Sequence, residues 1–372
     1  MTPLFIYGTL CHLPLLHVVL GRTDVKTRAD TLPDHGVYWV KDEAFPMIER
    51  DVNKSAQGLV LHDLSETDIA RLNFYESGFD YDLKHVDLAD GTAVQVYFPQ
   101  KLDYPKGADW NISDWAKIHG DLVVETAQLV MGYFNKVGEK YMSENNQNGI
   151  TQSRAWNRIL ARDTAPTDLR RNVPEADMTI TPRDGGFDGF FQLKPVTLKH
   201  RKLNGDWSPE MPREVFIGYD AALVLPYDPV RDQVLMVEQL RLAPKLRGDL
   251  GVSLLEPIAG MVDASEAPET AARREAEEEA GLTLTDLELI TRSYPAPGYV
   301  TEFHHCYLAL ASLEGRDGHI GGAVEENEDI RVHVLSFDRA MQLCDSGEIN
   351  VGPLFMMLMW LARHRDRLRA TA

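Results

Sequence analysis

Residues 260–282 constrain this chain more than any other stretch, because glycine, glutamate and arginine recur there at fixed intervals. Residues 266–280 are mostly Ala, Glu and Arg, with Pro268 near the start and Gly281 directly after the end. Proline in the first turn and glycine just past the last turn predict a helix whose two ends are marked. The chain is therefore predicted to be organised around an acidic helix.

Three glutamates of that helix, Glu275, Glu278 and Glu279, are spaced so that their carboxylates share one face. Like charges at this spacing destabilise an isolated helix by roughly 0.2–0.5 kcal/mol per pair, so a cation is expected beside them. Mg²⁺ fits, because hard cations bind carboxylate oxygens and the oxygens of a substrate phosphate together. The alternative interpretation is a solvated acidic helix, which is the usual meaning of a run of charges.

The same stretch resembles the Nudix hydrolase signature at every fixed position of that signature. The matching residues are Gly260, Glu266, Arg274, Glu275, Glu278, Glu279, Gly281 and Leu282. The resemblance implies an α/β/α sandwich in which a strand, a loop and a helix hold the metal, Mg²⁺ or alternatively Mn²⁺. It also implies that Glu275, Glu278 and Glu279 bind the metal together with the backbone carbonyl of Ala259, and that Glu278 and Glu279 serve catalysis.

The carboxyl half further resembles the ADP-ribose (ADP-sugar) pyrophosphatase branch of the Nudix superfamily. The segments that carry this likeness are Arg213-Glu214-Val215-Phe216, Glu238-Gln239-Leu240-Arg241, Leu255-Glu256-Pro257-Ile258-Ala259-Gly260, Ala296-Pro297-Gly298 with Thr301-Glu302, and Glu325-Glu326-Asn327-Glu328-Asp329-Ile330. The resemblance implies that Arg213 and Arg241 contact the phosphates or ribose of the substrate, and that Glu302 belongs to a substrate-binding loop. A structural ion pair is the alternative for each arginine.

The last of those segments is an acidic loop that lies outside the signature, as the catalytic-base loop of the family does. Alignment on Asn327 puts Glu326 at the position of the base, and Glu328 is close enough in sequence to take that role instead. A solvated acidic loop without a catalytic role is the alternative.

These resemblances predict hydrolysis of the diphosphate of ADP-ribose, or a related ADP-sugar, to AMP and a sugar phosphate. Another Nudix substrate is the first alternative: a nucleoside triphosphate, a coenzyme A derivative or a different nucleotide sugar. A nucleotide-sensing module that binds without turnover is the second. The resemblance also implies a homodimer with residues 187–216 at its interface.

The amino-terminal residues 1–100 predict a separate α+β domain, because strand-like apolar runs alternate with one helical pattern. Its motifs resemble the gamma-glutamylcyclotransferase-like (AIG2-like) family. They are Tyr7-Gly8-Thr9-Leu10, Asn73-Phe74-Tyr75-Glu76 and Tyr81. The resemblance implies that the first motif holds a gamma-glutamyl group through backbone amides, and that Glu76 acts as general acid and base during ring closure.

Two residues depart from the usual pattern of that family, namely Ser77 after the glutamate and Leu83 where an arginine is common. We therefore expect a domain that is inactive or only binds its ligand. A surface carboxylate without a chemical role is the alternative for Glu76. Residues 101–178 predict a helical connector, since apolar residues recur there at three- and four-residue steps, and residues 179–372 form the predicted Nudix domain.

The composition excludes several classes of protein. At 372 residues the chain is long enough for more than one domain, and its net charge of −19 argues against nucleic acid as a partner. Three scattered cysteines predict neither a disulfide framework nor a zinc site, which favours a reducing cytoplasm. The longest apolar stretch, residues 354–362, is too short for a membrane span. A small nucleotide-sugar substrate remains the expected partner.

Overall fold

The computed structural model describes residues 2–76, 81–100, 104–136, 149–163, 167–323 and 326–371. Ser77 and Glu325, which the sequence singles out, lie outside the described residues. The contacts within the chain divide it into two compact units, Met1–Thr164 and Ala165–Ala372. Each unit has its own hydrophobic core, so each is described by itself.

The described part of the first unit is an α+β domain around one mixed sheet, ordered β4-β5-β1-β3-β2-β6. Its strands are β1 (Leu4–Ile6), β2 (Lys26–Val40), β3 (Pro46–His62), β4 (Tyr81–Asp87), β5 (Ala93–Pro99) and β6 (Lys106–Asp109). Its helices are α1 (Leu13–Leu20), α2 (Glu66–Glu76), α3 (Ile112–Met131) and α4 (Ile150–Leu160). Strand β1 is central, antiparallel to β3 and parallel to β5, which explains why all three of its residues are buried.

Helices α3 and α4, which fall in the predicted connector, lie in this first unit. Trp115 and Ala127 of α3 are buried in the same apolar cluster as residues of β1 and α1. Glu125 of α3 accepts hydrogen bonds from Arg158 and Arg162 near the end of α4, at 3.1 and 2.7 Å. The two helices thus pack on the amino-terminal core, while the domain boundaries at residues 100 and 178 stay predictions.

The second unit contains a small antiparallel sheet and a larger mixed sheet. The small sheet consists of β7 (Met178–Pro182), β8 (Phe187–Asp188), β9 (Gln192–His200) and β10 (Met211–Ile217). The larger sheet consists of β11 (Asp220–Asp228), β12 (Gln233–Leu240), β13 (Ser253–Glu256), β14 (Ile258–Met261), β15 (Leu287–Ser293), β16 (Phe303–Leu310), β17 (Ile320–Gly321) and β18 (Ile330–Ser336). Its helices are α5 (Leu242–Arg247), α6 (Pro268–Ala280), α7 (Phe337–Ser346) and α8 (Gly352–Ala370).

The larger sheet is covered by helices on both faces. Alternate residues of β11 point to opposite faces, and Leu223 and Leu225 share a cluster with α7 and α8. Helix α6 contacts β11 and β14, and its Ala272 and Ala276 are fully buried, which allows close packing on the sheet. This arrangement confirms the α/β/α sandwich expected for the carboxyl half. None of the helices within the described ranges is long and apolar enough to cross a membrane.

The signature helix α6 begins two residues later than its composition predicts. Ala267 is extended, with φ −77° and ψ 143°, because a residue that precedes proline is disfavoured in the helical region. Pro268 then occupies the first turn, where a missing backbone N–H does no harm. Gly281 ends the helix in the left-handed region at φ 59°, as predicted.

Candidate functional site

Four of the signature residues, Gly260, Arg274, Glu275 and Glu278, line a cleft of about 630 Å³ in the second unit. The lining joins residues from β11, Arg241 directly after β12, the segment around β14, helix α6, the start of β16 and the acidic loop. The predicted site residues among them are Arg241, Ala259, Glu275, Glu278, Glu302, Glu326 and Glu328. The fold thus brings together residues that are far apart in the sequence.

Two predicted residues occupy other positions. Glu279 is buried behind the cleft, and the backbone N–H of Ala259 approaches its carboxylate at 3.4 Å. Arg213 is exposed on β10, where its guanidinium donates to the carbonyl of Pro212, and it is absent from the described lining.

Arg274, a signature residue for which no role was predicted, holds the acidic face together. Its guanidinium donates to Glu275 at 2.6 Å, to Glu278 at 3.2 Å and to Glu266 at 3.1 Å. A further hydrogen bond of 3.0 Å reaches the carbonyl of Met261. Arg274 therefore ties the helix to the preceding strand and loop, and it offsets part of the negative charge.

The remaining negative charge is visible in the pKa values of the buried carboxylates. Burial raises the pKa of Glu279 to about 9, and the nearby carboxylates of Glu275 and Glu328 add to the shift. Burial also raises the pKa of Glu275 to about 7, although Arg274 opposes the change. A positive charge beside these carboxylates would favour their ionised form.

The donor atoms at this face fit a hard divalent cation. Glu275 and Glu278 bring carboxylate oxygens to the cleft, Glu279 lies buried next to them, and oxygen atoms of this kind are the ligands that such cations prefer. Within the described residues, no set of three or more acidic, histidine or cysteine side chains is arranged as a finished metal site. In this arrangement Arg274 engages two of the three carboxylates.

Gly260 allows the close approach of strand and helix at this face. A Cβ atom built on Gly260 would lie 1.8 Å from Oε1 of Glu275 and 2.0 Å from its carboxyl carbon. A side chain at position 260 would displace this carboxylate, which is the end of a flexible side chain that Arg274 holds by a hydrogen bond of 2.6 Å. The signature glycine therefore leaves room for the Glu275 carboxylate where Arg274 holds it.

Arg241 forms an ion pair and lines the cleft as well. Its guanidinium contacts the carboxylate of Glu256 at 2.7 Å, and Gln239 donates to the same carboxylate at 3.1 Å. The Arg241 side chain is 43% exposed, so part of the guanidinium faces the cleft. A structural ion pair with Glu256 and a contact with substrate in the cleft are thus compatible for Arg241. Glu256 was not predicted as a site residue, although a charged residue between two apolar stretches of sequence could have indicated one.

The acidic loop brings two carboxylates to the cleft, one held by a hydrogen bond and the other exposed. Oε2 of Glu328 accepts the backbone N–H of Ala323 at 3.0 Å, and its charge raises the pKa of both Glu275 and Glu279. Glu326 lines the cleft with an exposed side chain. Glu328 is therefore the more fixed of the two and acts electrostatically on the acidic face.

The opposite wall of the cleft contains residues that the sequence did not identify. Phe190 and Phe191 line it, and the ring of Phe191 lies 4.9 Å from that of Phe216. Nε2 of His304 lies 2.8 Å from Oε1 of Glu302, and both line the cleft. Exposed aromatic rings of this kind offer a stacking surface for a nucleobase.

A second pocket, of about 650 Å³, lies in the first unit. Tyr7, Thr9, Leu10 and Glu76 are among the residues that line it, as the resemblance implies. Gly8 has φ 75° and lies against Pro46, so this turn requires glycine. The pocket also contains rings that were not predicted as site residues: Phe45, Tyr75, Tyr97, Tyr104 and Trp115.

Comparisons with known proteins agree with this division. Residues 219–351 match the NUDIX domain, and residues 4–117 match the gamma-glutamyl cyclotransferase, AIG2-like family. Over 211 residues the chain is 36% identical to an ADP-ribose pyrophosphatase of Escherichia coli (strain K12), covering 57% of this chain and 98% of that protein. The chain thus belongs to the Nudix hydrolases and carries an AIG2-like domain in its amino half, which confirms both resemblances.

Two further relatives differ in the substrate that their names give. An ADP-ribose pyrophosphatase of Haemophilus influenzae is 37% identical over 201 residues, or 54% of this chain and 92% of that protein. A GDP-mannose pyrophosphatase of Salmonella choleraesuis is 36% identical over 174 residues, or 47% of this chain and 89% of that protein. Nudix hydrolases generally need a divalent metal, with which the acidic face is compatible.

Proposed function

We propose that the second unit hydrolyses the diphosphate of ADP-ribose, or of a related ADP-sugar, to AMP and a sugar phosphate with Mg²⁺. The observation that carries this proposal is the cleft, where an acidic metal-binding face, Arg241 and an aromatic wall face the same space. The similarity to ADP-ribose pyrophosphatases over nearly their whole length supports the choice of substrate. A different nucleotide sugar is the alternative, because a GDP-mannose pyrophosphatase is also similar.

In this proposal each wall of the cleft has a separate task. Glu275, Glu278, Glu279 and the Ala259 carbonyl hold the metal, which when bound offsets phosphate charge and lowers the pKa of water. Arg241, fixed by Glu256, positions a phosphate or ribose oxygen with its guanidinium fork. The rings of Phe190 and Phe191 stack on the base.

The reaction itself needs a base for the attacking water. Glu326 removes a proton from water, the water oxygen bonds to one phosphorus, and the bridging P–O bond breaks. The bridging oxygen leaves with the other phosphate, which yields two monophosphates. Glu328 is the alternative base, although its fixed hydrogen bond to Ala323 favours a structural and electrostatic role.

A substrate panel tests the proposal. Purified full-length protein with Mg²⁺ is expected to release AMP from ADP-ribose faster than it cleaves GDP-mannose, a nucleoside triphosphate or a coenzyme A derivative. Faster cleavage of any of these other compounds would shift the assignment to that substrate class. Binding of ADP-ribose without any cleavage would support the nucleotide-sensing alternative.

Gly260→Ala is expected to reduce turnover more than stability. The added methyl group would displace the carboxylate at the end of the Glu275 side chain, which Arg274 holds by a hydrogen bond of 2.6 Å. We expect the rate of ADP-ribose hydrolysis to fall by about tenfold or more, since small misplacements of catalytic groups have effects of that size or larger. Hydrolysis rates and thermal melting measure the two effects.

The matched control for this change is Gly251→Ala, because a Cβ atom there meets nothing within 4 Å. Its melting temperature and rate should stay close to those of the unmodified protein. If Gly260→Ala behaves like Gly251→Ala, the close approach of β14 and Glu275 has no functional importance.

A homodimer is proposed through the small sheet of the second unit. Phe187 is 66% exposed there and Phe190 is 49% exposed, and a clustered apolar surface of this kind marks an interaction site. An interface along residues 187–216 would also place Arg213 near the partner's cleft, which gives this residue a substrate role.

The cytoplasmic location stays a prediction.

Light scattering of the active protein is expected to give twice the chain mass of 41.9 kDa. Phe187→Glu should shift the mass towards a single chain and reduce ADP-ribose hydrolysis at the same time. Val230→Glu is the matched control, because Val230 is 73% exposed on the turn between β11 and β12, outside the small sheet. A single-chain mass at concentrations where the unmodified enzyme is active would rule out the dimer.

For the first unit we propose a ligand-binding role without turnover, as the departures at Ser77 and Leu83 predict. Burial raises the pKa of Glu76 to about 7, so proton transfer by this group is chemically available. Substantial release of 5-oxoproline from a gamma-glutamyl amine, lost in Glu76→Gln, would overturn the binding-only role and make the protein bifunctional.

A further inference from the structure

The last turn of the signature helix α6 is closed by a distant segment of the chain. The final four carbonyls of a helix have no partner within the helix itself. At α6 the N–H of Gly281 donates to the carbonyl of Glu277 at 3.0 Å, and the N–H of Gly322 donates to the carbonyl of Glu278 at 2.9 Å. Because Gly322 directly follows β17, a strand that is distant in sequence satisfies this helix end.

The neighbouring residue, Gly321, lies against the backbone of the same helix end. A Cβ atom built on Gly321 would lie 2.2 Å from the carbonyl oxygen of Glu279 and 3.0 Å from that of Glu278. Both oxygens belong to the helix backbone, so a side chain at position 321 would push the strand and the helix apart. Gly321 is not in the left-handed region, so close approach is the reason for glycine here.

The acidic loop begins directly after this contact and is held by hydrogen bonds around Ala323. The carbonyl of Ala323 accepts the N–H of Glu326 at 3.1 Å and that of Glu328 at 3.3 Å, and the N–H of Ala323 donates to the Glu328 carboxylate at 3.0 Å. Gly322 has φ 111°, and a Cβ atom there would lie 2.7 Å from Cβ of Glu328. The two glycines thus join α6, whose Glu278 lines the cleft, to the loop that carries Glu326.

We propose that Gly321 and Gly322 are positioning residues, which set the distance between the acidic face of α6 and the loop carboxylate that acts as base. This role rests on the hydrolysis proposed above. A base must lie within hydrogen-bond reach of the water that it activates, so a displacement of about 1 Å is enough to reduce catalysis strongly. Helix and loop meet here through backbone atoms, which transmit such a displacement directly.

Gly321→Ala tests the contact without changing any charge. For the diphosphate that the full-length protein cleaves fastest, we expect kcat to fall by roughly tenfold or more while KM changes less than about twofold, because the misplaced group acts in the transition state. Gly251→Ala is the matched control, since it adds the same methyl group where nothing lies within 4 Å. Gly322→Ala is a second variant, and Gly318→Ala is its control, because Gly318 also has a positive φ, 77°, and no neighbour within 4 Å.

A double-mutant cycle separates positioning of the base from a general loss of structure. In Glu326→Gln the base is already absent, so the addition of Gly321→Ala should lower kcat by less than about threefold. A second cycle with Glu328→Gln covers the alternative base. A loss of the same size in the unmodified, the Glu326→Gln and the Glu328→Gln backgrounds would contradict the positioning role.

Exchange of the Gly322 amide hydrogen with solvent is a measurement that needs no turnover. In protein that contains nitrogen-15-labelled glycine, this hydrogen should exchange about tenfold faster or more in Gly321→Ala than in the unmodified protein and in Gly251→Ala, since its hydrogen bond to the Glu278 carbonyl is weakened. If the unmodified protein cleaves no diphosphate, the proposed hydrolysis fails, and the exchange rate still decides whether Gly321 holds the loop against α6.

Thermal melting of each variant shows whether it is folded. Unchanged exchange of the Gly322 amide in Gly321→Ala, a normal kcat in both Gly321→Ala and Gly322→Ala, or unfolding of both variants would overturn the proposal, because the contact would then serve stability or nothing at all.

Discussion

Glu278→Gln is expected to abolish most ADP-ribose hydrolysis while the melting temperature stays close to that of the unmodified protein. The Glu278 side chain is 40% exposed at the cleft, and its carboxylate accepts a hydrogen bond of 3.2 Å from Arg274. Glu278→Gln therefore removes one negative charge from the acidic face without disturbing the core. Since the loss of an outer-shell partner of a metal typically costs 10–100-fold, we expect a loss of roughly 100-fold or more.

Glu277→Gln is the matched control for this prediction. Glu277 is the preceding residue of the same helix, is exposed, and accepts a hydrogen bond from Thr283 outside the cleft. The two variants have the same change in charge, and surface changes of this kind usually alter stability by only about 0.5 kcal/mol. Near-normal hydrolysis by Glu278→Gln, at saturating and at limiting Mg²⁺, would remove Glu278 from the metal site.

The sequence predicted the parts of the site that depend on local geometry. The positions of Glu275 and Glu278 follow from helical spacing, and the ends of α6 follow from Pro268 and Gly281. These features depend on residues that are near neighbours in the chain, so a one-dimensional pattern is sufficient to find them. The helix begins at Pro268 rather than at about residue 266, because proline disfavours the helical region for the preceding Ala267.

The parts that the sequence missed depend on contacts between distant segments. Glu256 holds Arg241 across two adjacent strands, and His304 contacts Glu302 where β16 meets the cleft. Phe191 reaches the cleft because β9 and β10 pair and bring its ring against Phe216. No local spacing distinguishes such residues from ordinary polar or apolar positions, so only the folded arrangement reveals them.

The helices of the predicted connector also have contacts with distant segments that a local sequence pattern does not reveal. The periodicity of residues 101–178 predicts helices, and one of them is α3, but it does not predict the surface that covers their apolar faces. For α3 that surface is the core of the first unit, where Trp115 donates from its indole to the carbonyl of Ala44 at 2.8 Å. Val123 and Val130 of the same helix line the amino-terminal pocket.

The identity of the catalytic base is tested by a pair of substitutions in the acidic loop. Glu326→Gln is expected to lower kcat by roughly 100-fold or more with a small change in KM, because a general base acts in the transition state. Its exposed carboxylate in the cleft is available to a water molecule. The variant should keep its dependence on Mg²⁺, since Glu328 rather than Glu326 is among the main charges that raise the pKa values on the acidic face.

Glu328→Gln should behave differently, because Glu328 adds negative charge beside Glu275 and Glu279. Its removal should raise the Mg²⁺ concentration needed for half-maximal activity, because one negative charge beside the acidic face is lost, with a smaller loss of kcat at saturating metal. Titration of activity with Mg²⁺, together with kcat and KM for ADP-ribose, separates the two variants. A large loss of kcat in Glu328→Gln at saturating Mg²⁺, with near-normal kcat in Glu326→Gln, would assign the base to Glu328 and leave Glu326 as a solvated residue of the loop.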